Sequence, residues 1–143
     1  MVTINHEYFV SPEIAKLLKE AGFYWRVRYM YRNNNPTLCI CTERSYRNTP
    51  KPNKCPMYWQ YAAPTLDVAQ KWLREVKDIL LYITPKRVNM EWKWNFWYID
   101  LRDKTNIEQR YSTKVFNTYE EAQEAGIKKC LEEDSITNKC SEE

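Results

Sequence analysis

Apolar residues recur at helical spacing in three stretches of the chain. In the first, Ile14, Ala15, Leu17, Leu18 and Ala21 fall on one side of a segment that Ser11 can cap, Pro12 can open and Gly22 can close. That grammar predicts a helix over 12–21. In the second, Thr65 supplies a cap and Leu66, Ala69, Trp72, Leu73, Val76 and Leu80 repeat behind it. In the third, Thr118 and Glu121 have capping-box spacing, and the helix they open is expected to run to about Glu133, with a polar, frayed, disordered tail over 134–143.

Between these helices the pattern changes to period two. Residues 23–32 set Trp25, Val27, Tyr29 and Tyr31 against Arg26, Arg28 and Arg32, which predicts a strand with one apolar and one basic face. Asn33, Asn34 and Asn35 before Pro36 read as a turn into a second strand over 37–42, since Asn tolerates left-handed backbone. Residues 43–56 hold three prolines, four basic residues and no apolar period, which reads as a long loop. Further strands are expected over 57–61, 81–86, 91–101 and 109–116, with Trp92, Trp94, Phe96 and Tyr98 on one face of the third of these and Trp97 on the other. The fold class is therefore α+β, a mainly antiparallel sheet of five or six strands with three helices packed against it, as a single domain over 1–133. Each helix follows an extended segment and a Ser or Thr cap, a common way of entering a helix rather than a repeat.

Composition removes several function classes. The chain has 143 residues, 43% hydrophobic and 29% charged, enough for one packed core and too apolar for disorder throughout. Two glycines cannot build a glycine-rich phosphate cradle, and the single histidine, His6, cannot anchor a histidine metal cluster. Five cysteines, an odd number, and an N-terminus without basic and apolar blocks point to a reducing, cytoplasmic setting. The longest apolar runs, such as 79–83, fall far short of the roughly 20 residues of a membrane span.

Candidate chemistry is sparse. Cys39, Cys41 and Cys55, with Cys140 or His6, could hold zinc, but Cys39 and Cys41 share one strand face instead of a turn, so free thiols and no metal are expected. Glu120, Glu121 and Glu124, or Asp100 with Asp103, have no base beside them in sequence, and no hydrolase, kinase or zincin motif is present. A non-enzymatic protein without a cofactor is the expectation.

Charge is where the chain departs from a bland surface. Net charge is only +3, yet residues 21–60 carry seven basic residues and one acidic, whereas 118–143 carry eight acidic and three basic. Arg26, Arg28, Arg32, Arg44, Arg47, Lys51 and Lys54, interleaved with Tyr46 and Tyr58, form a set that could neutralise phosphates and stack bases of a nucleic acid. The alternative is a protein-binding module, an inhibitor of a host factor or a homo-oligomer, using Trp97 or Tyr58 as an exposed anchor and the acidic third helix toward a basic partner.

Two resemblances add context. The stretch 9–23, beginning Phe9-Val10-Ser11-Pro12-Glu13-Ile14-Ala15, together with 63–75, beginning Ala63-Pro64-Thr65-Leu66-Asp67, and with Tyr119-Glu120-Glu121-Ala122, resembles a family of small uncharacterised proteins. That family is abundant in gut Bacteroidales and in their phages and mobile elements, so the resemblance implies a cytosolic accessory protein of phage or mobile-element origin and no known activity. Residues 97–131, with Phe116-Asn117-Thr118 and Glu121-Ala122, resemble the arm-type DNA-binding domains of tyrosine integrases, a three-stranded sheet on one helix. The second resemblance implies a groove-reading sheet face offering Lys93, Arg102, Lys104, Arg110 and Lys114, although the acidic helix and the missing turn glycine depart from that pattern.

Overall fold

The computed structural model describes residues 8–32, 35–40, 60–102, 104 and 108–141, with side chains to residue 136. The chain divides into two compact units, Met1–Thr65 and Leu66–Glu143.

The first unit is built on helix α1, Pro12–Glu20. Ser11 Oγ accepts from the Ile14 amide at 3.3 Å, and Pro12 occupies a position whose amide would have no helical partner. At the other end the Phe23 amide donates to the Leu18 carbonyl and the Gly22 amide to that of Lys19, a Schellman ending that needs the left-handed backbone of Gly22 (φ +93°). Phe23 is thereby committed to the core. Three strands follow, β1 (Tyr29–Arg32), β2 (Cys39–Ile40) and β3 (Gln60–Ala62), antiparallel in the order β2-β1-β3. Val10, Ile14, Leu18, Phe23, Met30 and Ala62 are buried, and Tyr31 Oη donates to the Val10 carbonyl at 2.6 Å.

The second unit runs α2 (Leu66–Val76), β4 (Ile79–Val88), β5 (Glu91–Asp100), β6 (Gln109–Tyr111) and α3 (Tyr119–Ser141), its strands antiparallel in the order β4-β5-β6. Helix α3 begins where Thr118 Oγ1 accepts from the Glu121 amide at 3.1 Å. Helix α3 approaches the sheet at Gly126, where a Cβ would stand 2.7 Å from Leu81 Cδ1 and 3.1 Å from Phe96 Cγ. The helix-covered face thus carries Ile79, Leu81, Phe96 and Tyr98, and Trp72, Leu73, Ile127 and Leu131 of the two helices are buried as well. Buried Gln123 ties the helices together, donating to Asp67 Oδ1 at 2.7 Å and Gln70 Oε1 at 2.8 Å, while Gln70 Nε2 donates to the Leu81 carbonyl at 2.7 Å. Strands β4 and β5 are joined by a two-residue turn in which Asn89 (φ +51°) and Met90 (φ +65°) both take left-handed backbone. Such a turn matches strand twist, but its second position favours glycine, and a non-glycine residue there costs about 1 kcal/mol.

The α+β class holds, and among the described residues three helices and six strands are present, the strands forming two three-stranded sheets instead of one sheet of five or six. Period-two patterning marks strands without naming their partners, and β4 spends its full length on β5, from Ile79↔Asp100 to Val88↔Glu91. The strand expected over 23–32 starts at Tyr29, because the end of α1 takes up the chain only as far as Phe23 and pairing begins where β2 and β3 meet β1, which leaves 24–28 irregular. Leu80, placed by spacing on the second helix, lies in β4, since the left-handed backbone of Asp78 (φ +54°) ends the helical course. Helix α3 continues past Glu133 to Ser141, and the tail expected to begin at 134 opens on Asp134, only 1% exposed. The expected loop over 43–56 lies outside the described residues, as do Cys41, Cys55 and His6.

Candidate binding surfaces

Arg26, Arg28 and Arg32 are all exposed, and Val27, Met30 and Tyr31 between them are buried. They do not share a strand face. Only Arg32 lies in β1, and Met30, which has the same parity, is 1% exposed. The three guanidinium groups instead cover the solvent side of an irregular segment and the strand it leads into, with the Arg28 guanidinium 5.7 Å from the Tyr29 ring centroid. The other expected members of the set, Arg44, Arg47, Lys51, Lys54, Tyr46 and Tyr58, lie outside the described residues.

Trp97 is the centre of a row. Strand register places Tyr82, Trp97 and Tyr111 side by side on the sheet face opposite α3. The Tyr82 and Trp97 rings are nearly parallel with centroids 6.4 Å apart, and those of Trp97 and Tyr111 are 5.0 Å apart. Trp97 Nε1 donates to Thr84 Oγ1 at 2.9 Å, and that hydroxyl in turn donates to Asn95 Oδ1. Trp97 is therefore half-buried with its N–H engaged, and the exposed end of the row is Tyr111.

On the helix side, a cleft of about 560 Å³ opens between α3 and the segment after β6, lined by Phe96, Tyr98, Phe116, Lys114, Lys128 and Glu132 among others. Beside it Tyr98 Oη donates to Glu133 Oε1 at 3.0 Å, and Glu133 also pairs with Arg110 and, at 3.7 Å, with Lys129. A second network centres on Asp134, paired with Arg102 and with Lys77 Nζ at 3.2 Å, while Arg102 Nη2 lies 2.8 Å from Asp100. Of the five cations that the integrase resemblance implied, Arg102 and Arg110 are thus in ion pairs, Lys93 pairs with Glu91 at 3.4 Å, and Lys104 and Lys114 are exposed.

Titration shifts in these networks all lead away from neutrality. Burial pushes the Tyr98 hydroxyl up to about 12, and burial likewise pushes the Cys130 thiol up. The Arg102 guanidinium hydrogen-bonded to Asp100 holds that carboxyl below its usual range. Among the described residues no group of three or more His, Cys, Asp or Glu is placed to hold a metal ion, and no helix is long and apolar enough to cross a membrane.

The tip of the β4/β5 hairpin, where Met90 and Trp92 are exposed, carries little local signature in the sequence. The available signal was Asn89, the first of two residues joining two strand-like runs, which marks a tight turn even without a following glycine. Compared with protein-family models, curated proteins and solved structures, the chain finds no match.

Proposed function

We propose that this chain is a non-catalytic, cytoplasmic accessory protein of phage or mobile-element origin that binds nucleic acid through its first unit. The carrying observation is the exposure of Arg26, Arg28 and Arg32 over buried Val27, Met30 and Tyr31, in a stretch, 21–40, that contains no carboxylate. Three guanidinium forks grouped on one exposed segment suit phosphate oxygens and give affinity without sequence preference. Arg44, Arg47, Lys51, Lys54 and Tyr58 extend the same basic segment in sequence.

The test is fluorescence anisotropy of labelled single- and double-stranded oligonucleotides at several salt concentrations. Log affinity should fall linearly with log salt, and Arg26→Glu with Arg28→Glu should flatten the slope by roughly 0.9 for each phosphate no longer neutralised. Absence of binding at low salt would remove this reading.

A second reading, a protein partner, is favoured by the Tyr82, Trp97 and Tyr111 row, whose outer ring is 60% exposed. Tyrosine and tryptophan on a rigid sheet are common interface anchors, and Glu120, Glu121, Glu124 and Glu132 on α3 would suit a basic partner. Oligomeric state before and after Tyr111→Ser separates a second copy of this chain from other partners.

A further inference from the structure

At the tip of the β4/β5 hairpin, three choices that disfavour the fold meet within eight residues, 86–93. Met90 occupies a left-handed position (φ +65°) where glycine is preferred, and it is 83% exposed. Trp92 beside it is 61% exposed. Lys86 and Lys93 stand directly opposite each other in the ladder, a like-charge pair that weakens strand pairing. Lys93 is relieved by the Glu91 carboxylate at 3.4 Å and by Asn117 Oδ1 at 2.6 Å. On the other face the Arg87 guanidinium lies 5.4 Å from the Trp92 ring centroid, so the stem presents a cation to each side. A turn chosen for stability would carry glycine at 90 and a polar residue at 92. Local rules broken together at neighbouring positions are expected where a surface serves binding.

The ligand chemistry follows from what the tip offers. It has three cations against one carboxylate, and Lys93 holds that carboxylate. Its foremost side chain is an unbranched thioether, flexible enough to enter an irregular apolar gap. Two paired strands make a narrow ribbon, which suits a groove better than a flat surface. We propose that this hairpin is an arm that enters the groove of duplex DNA, with Met90 wedged against a base step and Lys86 and Arg87, the two cations that the tip's carboxylate does not hold, on the flanking phosphates. Side chains of this type partly unstack the step they enter and bend the duplex. The inference rests on the nucleic-acid reading but uses the second unit, whereas Arg26, Arg28 and Arg32 belong to the first.

The test uses the full chain and a duplex of about 30 base pairs labelled at both ends, so that energy transfer reports bending while anisotropy reports affinity. The wild type should bend the duplex and perturb the emission of Trp92, assigned by difference against Trp92→Phe. Met90→Gly, which suits the turn, and Met90→Asn, which tolerates left-handed backbone, should each abolish bending and weaken binding by roughly tenfold, while Met90→Leu retains both. If both of these tip variants bind and bend like the wild type, the arm is refuted and the arginine surface stands. Loss of bending in both, with Arg26→Glu and Arg28→Glu leaving affinity unchanged, would support the arm and sink the arginine surface. A blue shift of Trp92 on anionic phospholipid vesicles without any response to duplex would assign the tip to a membrane surface and overturn the proposal. No duplex binding at low salt would remove both readings.

Discussion

Gly126 on α3 and Leu81 on β4 are in direct apposition, with the place of the missing Cβ 2.7 Å from Leu81 Cδ1. Alanine at 126 would favour the helix by about 1 kcal/mol on propensity alone, yet its methyl group would meet both Leu81 and Phe96. Overpacking of this kind costs roughly 1–3 kcal/mol, so Gly126→Ala should lower the urea midpoint of unfolding. Combining it with Leu81→Ala should give less loss than the two single changes added, because the second removes the clash.

The turn position of Met90 gives a prediction of opposite sign. Met90→Gly relieves the left-handed strain and should stabilise the protein by about 1 kcal/mol, read as a raised thermal midpoint. An unchanged or lowered midpoint would mean that the strain is relieved in some other way.

Thr84 is the hinge of a short polar chain, accepting from Trp97 Nε1 and donating to Asn95 Oδ1, and Asn95 is buried. Thr84→Val keeps the shape and removes both hydrogen bonds, so it should cost roughly 1–3 kcal/mol in denaturant unfolding. Thr84→Ser should recover most of that loss.

Two groups set the expected pH limits. The carboxyl of Asp100 is held low by Arg102, so its folded pKa lies below the unfolded value of about 3.9. Its contribution is therefore present above about pH 4 and is lost as the pH falls through the folded value. Tyr98 moves the other way, from 10.0 to about 12, so its contribution is complete below pH 10 and disappears as the pH rises toward 12. Unfolding midpoints measured across pH should fall at both ends, with Asp100→Asn flattening the acid limb and Tyr98→Phe the alkaline one.

The elements that could be read from sequence are those whose signals are local. Ser11, Pro12 and Gly22 bracket α1, and Thr118 opens α3, because a cap acts within three or four residues of itself. What escapes such reading depends on distant partners. Nothing near residues 79–88 says that β4 lacks a second neighbour, as it does among the described residues, and so the two sheets are not separable from sequence. Asp134 reads as a polar tail residue until Lys77 and Arg102 are placed against it. The same pairing hides the fact that Arg102 and Arg110 serve carboxylates of their own chain. The alternation of Arg26, Val27 and Arg28 correctly marks which side chains face solvent, but exposure along an irregular segment looks the same in sequence as exposure along a strand.

Cys130 is 0% exposed on the inner side of α3, and burial holds its thiol in the protonated, unreactive form. Alkylation at this position has to wait until the helix lifts from the sheet, so the chain carries its own clock for that opening. The rate at which iodoacetamide mass appears on the peptide containing Cys130, compared with the rate of global unfolding, would tell whether α3 leaves alone or only when the whole second unit comes apart.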